Sequence, residues 1–168
     1  MDKISPDVRD WFQKLEELEA YWVAEERKLE PDPQFWRWSP TPLPKVREMM
    51  AIADMVREIA ELPTMPRFFD AGCGIGTKMA LADWEFGWEP YGWDLYEEYV
   101  NVARNQLGMR NAMIGNLREG DPIWHAYDVV MISRPFKDDD EQEAWEIKVQ
   151  AAMRPGAVLL ATHAAVKP

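Results

Sequence analysis

Three glycines at alternate positions, Gly72, Gly74 and Gly76, lie in the run Asp70-Ala71-Gly72-Cys73-Gly74-Ile75-Gly76-Thr77. Glycine lets the backbone pass close to a bound molecule because no Cβ intrudes. This spacing therefore suits a loop laid against a ligand. A dinucleotide site wants G-x-G-x-x-G, with its pyrophosphate on the amides of a following helix. Here Thr77 stands where that third glycine would be. A sulfonium nucleoside has no phosphate; it carries a positive sulfur and an α-amino group, which acidic neighbours favour. Asp70, directly before the loop, fits that need. Cys73, inside the loop, reads as a small packed residue rather than a nucleophile. A tight turn without a ligand is the other reading of the same residues.

The elements around the loop must bring it to a sheet edge. Residues 1–65 read as a helical extension. Ser5-Pro6-Asp7 offers a cap, a first-turn proline and an acid for the positive end of the dipole. Val8, Trp11, Phe12, Leu15, Leu18, Trp22 and Leu29 then follow at near-helical spacing, with an acidic opposite face, until Pro31 and Pro33 stop the helix. The segment 31–44 is rich in proline and aromatic residues, including Phe35, Trp36 and Trp38. A second helix is expected from about Lys45 to Leu62, with Val46, Met49, Met50, Ala53, Val56 and Ala60 as its buried stripe. Residues 66–168 alternate strands and helices. Strands are expected at 67–70, 89–95, 111–115, 127–133 and 157–162, and helices at 77–84, 97–107 and 138–153. Connections this short imply a parallel sheet with right-handed crossovers. The fold expected is α/β: a Rossmann-like, doubly wound, mostly parallel five-stranded sheet with an N-terminal helical extension.

The stretch Phe69 to Thr77 resembles the first motif of the class I S-adenosylmethionine-dependent methyltransferases. The resemblance runs over about residues 66–163. It implies that Asp70, Ala71, Gly72, Cys73, Gly74 and Gly76 line the methionine end of S-adenosyl-L-methionine. Asp94, closing the second strand, resembles the acid that accepts hydrogen bonds from the ribose hydroxyls, and Leu95 the residue that packs on adenine. Asn116 and Leu117 resemble the adenine-side motif, in which a polar residue reads the exocyclic amine. Asp128 to Ser133 resembles the fourth strand, with Ser133 at its end beside the cofactor. Met153-Arg154-Pro155-Gly156 resembles the turn into the fifth. The implied function is methyl transfer to a small-molecule or protein acceptor; the rival is a cofactor-binding regulatory or interaction module without transfer. A nicotinamide oxidoreductase fails on the glycine spacing and lacks a base for a hydride site.

Two departures from the family pattern carry expectations. The family's sheet continues through two more strands, whereas this chain stops at Pro168. The run Ala157 to Ala161 then forms a sheet edge, to be covered by the N-terminal helices or by a second copy in a homodimer. After the fourth strand, Ser133-Arg134-Pro135-Phe136 only faintly echoes the loop of amino-methylating enzymes, and reads as a turn that positions the cofactor. With no lid from later strands, the Trp36–Trp38 segment becomes the candidate substrate lid.

The remaining features mainly exclude. The net charge is −11, and both halves are acidic, which disfavours tight binding to a phosphate backbone. A single cysteine rules out an intrachain disulfide and a cysteine metal cluster. Asp138 to Glu141 reads as a helix cap rather than a metal site. His125 and His163 are the only histidines; His163 lies past the fifth strand and reads as a surface or hydrogen-bonded residue rather than a base. No apolar run approaches the ~20 residues of a membrane span, and the N-terminus lacks a signal-peptide core, so the expected location is cytoplasmic.

Overall fold

The computed structural model describes residues 3–32, 41–59 and 63–162. The strands β1 (Arg67–Ala71), β2 (Glu89–Asp94), β3 (Ala112–Ile114), β4 (Val129–Ile132) and β5 (Val158–Ala161) form one sheet in the order β3-β2-β1-β4-β5. Every pairing is parallel. The helices α1 (Trp11–Glu26), α2 (Leu43–Ile59), α3 (Thr77–Phe86), α4 (Glu97–Gln106) and α5 (Asp139–Ala152) surround it.

Side chains alternate across the sheet, and both faces are covered, as a parallel sheet requires. Phe68, Val129, Met131 and Leu160 pack into a core with residues of α1 to α4. Phe69, Ala71, Val130 and Ile132 pack on the other face with Trp124, Trp145 and Val149. The chain winds outward from β1 through β2 to β3, then returns to β4 on the other side of β1. That reversal opens a crevice outside the carboxyl ends of β1 and β4, where ligands of open α/β sheets bind.

The N-terminal helices differ from expectation at three points. The helix expected from Ser5 begins at Trp11. The Ser5 carbonyl accepts the Val8 amide at 3.2 Å, but Asp10 has φ −113° and ψ 38°, outside helical values. The physical reason is Ile4: it is buried, and its amide donates to the Gln106 carbonyl at 2.9 Å, tying the first residues to the end of α4. At the other end α1 stops at Glu26, and Leu29 is exposed. In α2, Leu43, Val46, Met50 and Ala53 are buried, but Val56 is exposed. By that turn Ile52, Met55 and Ile59 are also exposed; Ala60 lies outside the described residues. The rest of the pattern holds with small boundary shifts, and α2 lies against β5. Among the described residues no helix is long and apolar enough to cross a membrane.

Candidate functional site

Parallel strands place all their carboxyl ends on one edge. Asp70, Asp94 and Ser133 therefore converge although they lie far apart in the chain. The glycine loop folds back onto β2: the Gly72 and Cys73 amides donate to the Trp93 carbonyl at 3.0 and 2.8 Å. Gly72, Gly74 and Gly76 all have positive φ. A Cβ built on Gly72 would meet nothing closer than Pro135 at 3.9 Å, so this part of the loop has the open backbone a ligand needs. Gly76 has another reason to be glycine. A Cβ there would lie 2.6 Å from Ala103 Cβ, so it sets how closely α4 approaches.

Asp94 holds the loop from below. The Gly74 amide donates to its Oδ2 at 2.7 Å and the Tyr96 amide to its Oδ1 at 3.0 Å. Burial pushes its carboxyl up to about 6, against the pull of those two amides and of Lys78. The next turn is built from β3: Gly115 donates to the Asp94 carbonyl at 2.9 Å, and Asn116 Oδ1 accepts the Arg118 amide at 3.0 Å. Leu117 is buried, and Leu95 is half-buried beside Asp94.

Around Asp70 the fold brings in two groups absent from the sequence expectations. Lys78, in the first turn of α3, is buried, with Nζ 3.1 Å from Asp70 Oδ1 and 3.0 Å from Ser133 Oγ. The Asp70 contact lies off the line of a hydrogen bond, and neither Asp70 oxygen has a directed donor among the described residues. Glu19 reaches in from α1, is buried, and accepts the Thr77 hydroxyl at 2.6 Å. Burial pushes Glu19 up to about 7; Thr77 and Lys78 oppose this, while Glu16 and Asp70 add to it. Burial likewise pushes Asp70 up to about 6, opposed by Lys78. Three buried carboxyls thus share one buried lysine. The signal for Glu19 was in the sequence: it sits four residues after Leu15 and three before Trp22, inside the apolar stripe. Lys78 gave a weaker signal, as the lone charge in the run Thr77-Lys78-Met79-Ala80-Leu81-Ala82.

Carboxyls with raised values hold protons that the unfolded chain releases at lower pH. The folded state binds more protons between about pH 4 and 7, so stability falls as pH rises across that window and levels off above it. The ligand-free protein is therefore expected to melt at a lower temperature at pH 7.5 than at pH 5, and Glu19→Gln to shrink the difference. Melting curves at both pH values check this; an unchanged difference in the variant would remove Glu19 from the account.

Above the crevice, Tyr96 donates its hydroxyl to Asp32 Oδ2 at 2.7 Å, and Lys137 donates to the Asp32 carbonyl. Asp32 thus bridges the loops after β2 and β4. Trp36, Trp38 and His163 lie outside the described residues. Phe136 is buried against Trp145, ring centroids 5.3 Å apart, and its amide donates to Gln142 Oε1 at 3.2 Å. This aromatic belongs to the core, not the crevice. Arg134 within it takes φ 29°. Asp138 caps α5, its Oδ1 accepting the Glu141 amide at 2.8 Å, as the cap reading expected. The Cys73 thiol is buried, and burial first, then Asp94 and Asp70, push it well up.

No protein-family model matches the chain, and no curated protein matches its sequence. Solved structures do match. DesVI of Streptomyces venezuelae is 25% identical with a TM-score of 0.53, over 69% of this chain and 49% of that one. An amino pentose methyltransferase from Micromonospora echinaspora, bound to S-adenosylmethionine, is 21% identical with a TM-score of 0.54, over 84% of this chain and 55% of that one. The fold is that of the class I S-adenosylmethionine-dependent methyltransferases. An RNA methyltransferase from Salinibacter ruber, in complex with S-adenosylhomocysteine, shares this methyltransferase fold at 20% identity and a TM-score of 0.54, over 73% of this chain and 76% of that one. The chain spans about half the length of the first two. Against the methyltransferase fold, the glycine loop follows β1, Asp94 closes β2, and the order β3-β2-β1-β4-β5 puts both beside the reversal.

Proposed function

We propose that the chain is an S-adenosylmethionine-dependent methyltransferase acting on a small-molecule or protein acceptor. The observation that carries this is the surplus of buried acid. Glu19, Asp70 and Asp94 act on Lys78, the one buried lysine among the described residues, at the carboxyl edge of the sheet. Burying a carboxylate without a partner is costly, and a cationic ligand relieves that cost where a phosphate would add to it. Asp70, with both oxygens lacking a directed donor, fits such a group. The neighbours bound to S-adenosylmethionine and S-adenosylhomocysteine support the same choice.

In this reading Asp70 and the Gly72–Gly76 backbone hold the methionine end. Asp94 keeps a free lone pair on each oxygen for ribose hydroxyls, while Gly74 and Tyr96 fix its orientation. Leu95, Asn116 and Leu117 form the adenine side, and Ser133 closes the site from β4. When bound, the cofactor supplies a methyl group activated by its sulfonium leaving group. The protein then has chiefly to align the acceptor and exclude water. An N-terminal unit of residues 1–65, joined at Asp32 to Tyr96 and Lys137, serves as the lid over a cofactor unit of residues 66–168. The expected location is cytoplasmic, and a homodimer would cover what α2 leaves of the β5 edge.

Calorimetry is expected to show binding of S-adenosylmethionine and S-adenosylhomocysteine and none of NAD; preference for NAD would overturn the reading. Cell extract incubated with methyl-labelled cofactor is expected to acquire label in one fraction. Burial of Phe136 away from the crevice favours one second reading, a cofactor-binding module without turnover. Tight binding with no label transferred would support it.

A further inference from the structure

Resting on that reading, we propose that Lys78 is a displaceable counter-ion: in the ligand-free protein its ammonium takes the seat of the cofactor's α-ammonium, and on binding it crosses to Glu19. The seat is defined by three oxygens, two from the end of β1 and the loop that follows it and one from the end of β4. Nζ of Lys78 lies 3.0 Å from Ser133 Oγ, 3.1 Å from Asp70 Oδ1 and 3.5 Å from the Gly72 carbonyl. An ammonium has three donors and no acceptor, so three converging oxygens describe a place for one. Lys78 fills it poorly. Its bond to Gly72 is long, and its approach to Asp70 leaves both carboxylate oxygens without a directed donor. A primary ammonium that is not tethered to α3 can satisfy all three better.

The second seat is adjacent. Thr77 immediately precedes Lys78, and its hydroxyl is bonded to Glu19. The groups facing Glu19 are Thr77 and Lys78 from α3, Asp70 from β1 and Glu16 from its own helix, and Lys78 is the cation among them. A flexible four-carbon stem lets a lysine turn from one carboxylate to the other. The charges balance. Without ligand, Asp70 pairs with Lys78 while burial keeps a share of Glu19 protonated up to about 7. With ligand, the incoming ammonium pairs with Asp70, Lys78 pairs with Glu19, and the Glu19 proton leaves to solvent. Binding that releases a proton strengthens as pH rises. Asp70 and Asp94 add to this dependence near pH 6, so Glu19 dominates it near pH 7.

The test is calorimetry at pH 7 in buffers of different ionisation enthalpy, using the intact chain. The probes are S-adenosylhomocysteine, which has the α-ammonium but no sulfonium, and 5′-methylthioadenosine, which lacks the amino-acid end. S-adenosylhomocysteine is expected to release a readily measured fraction of a proton, and 5′-methylthioadenosine much less. Glu19→Gln is expected to remove most of the release. Lys78→Met is expected to tighten S-adenosylhomocysteine several-fold and leave 5′-methylthioadenosine unchanged. Should that variant fail to fold, the wild-type proton release decides alone. Weaker S-adenosylhomocysteine binding in Lys78→Met, or equal proton release by the two probes, overturns the proposal while the methyltransferase reading stands. If neither probe binds the wild-type chain, both fall.

Discussion

Asp94→Ala is expected to lower affinity for S-adenosylmethionine by roughly ten- to a hundred-fold, the ~1.5–3 kcal/mol typical of charge-assisted hydrogen bonds. The loss has two sources. One is direct, the acceptor atoms assigned to the ribose hydroxyls. The other is structural, because Asp94 Oδ2 and Oδ1 hold the Gly74 and Tyr96 amides at 2.7 and 3.0 Å. Removing the carboxylate takes away one of the ties between the glycine loop and β2, the others being the Gly72 and Cys73 amides on the Trp93 carbonyl, and leaves two amides to find other partners. Asp94→Asn is no milder control. Its amide nitrogen would face one of those N–H groups, donor against donor. Calorimetry gives the affinity, and urea unfolding separates the structural share. Unchanged affinity in a folded variant would show that Asp94 makes no ligand contact.

Gly76→Ala is expected to destabilise the ligand-free protein by about 2–5 kcal/mol. A residue with a side chain pays ~1–2 kcal/mol for left-handed backbone, and Gly76 has φ 82°. Overpacking adds ~1–3 kcal/mol, because the new methyl carbon would lie 2.6 Å from Ala103 Cβ and 3.2 Å from Ala103 Cα. Ala103 is on α4, so the helix must retreat, and its side chains Tyr99 and Val100 belong to the same core. Gly72→Ala provides the contrast. It shares the positive φ, but its nearest neighbour is 3.9 Å away, so it carries the backbone penalty alone. Urea midpoints for the two variants check the difference. Equal losses would mean that α4 yields without cost and that helix packing does not account for Gly76.

The sheet was legible because its signals are local. Short β-rich runs such as Val129 to Ile132, the alternation with helices and the spacing of Gly72, Gly74 and Gly76 all act within a few residues. They determined five parallel strands, the loop after β1 and the acid closing β2. The start of α1 was misread because Ser5-Pro6-Asp7 is a sound local cap, but Ile4 is claimed by the end of α4, a partner a hundred residues away in the chain. Val56 was misread because helical spacing continues past the place where the neighbours of α2 end. The same limit hid the electrostatics. From the sequence, Glu19 was one acid on an acidic helix and Lys78 one charge in a loop-to-helix turn. The sequence alone determined a parallel α/β sheet with a glycine loop and acids fit for a cationic nucleoside. Only the tertiary structure decided that Glu19, Asp70 and Asp94 share a single buried lysine, because the cost of a charge depends on the water and partners that folding removes or supplies.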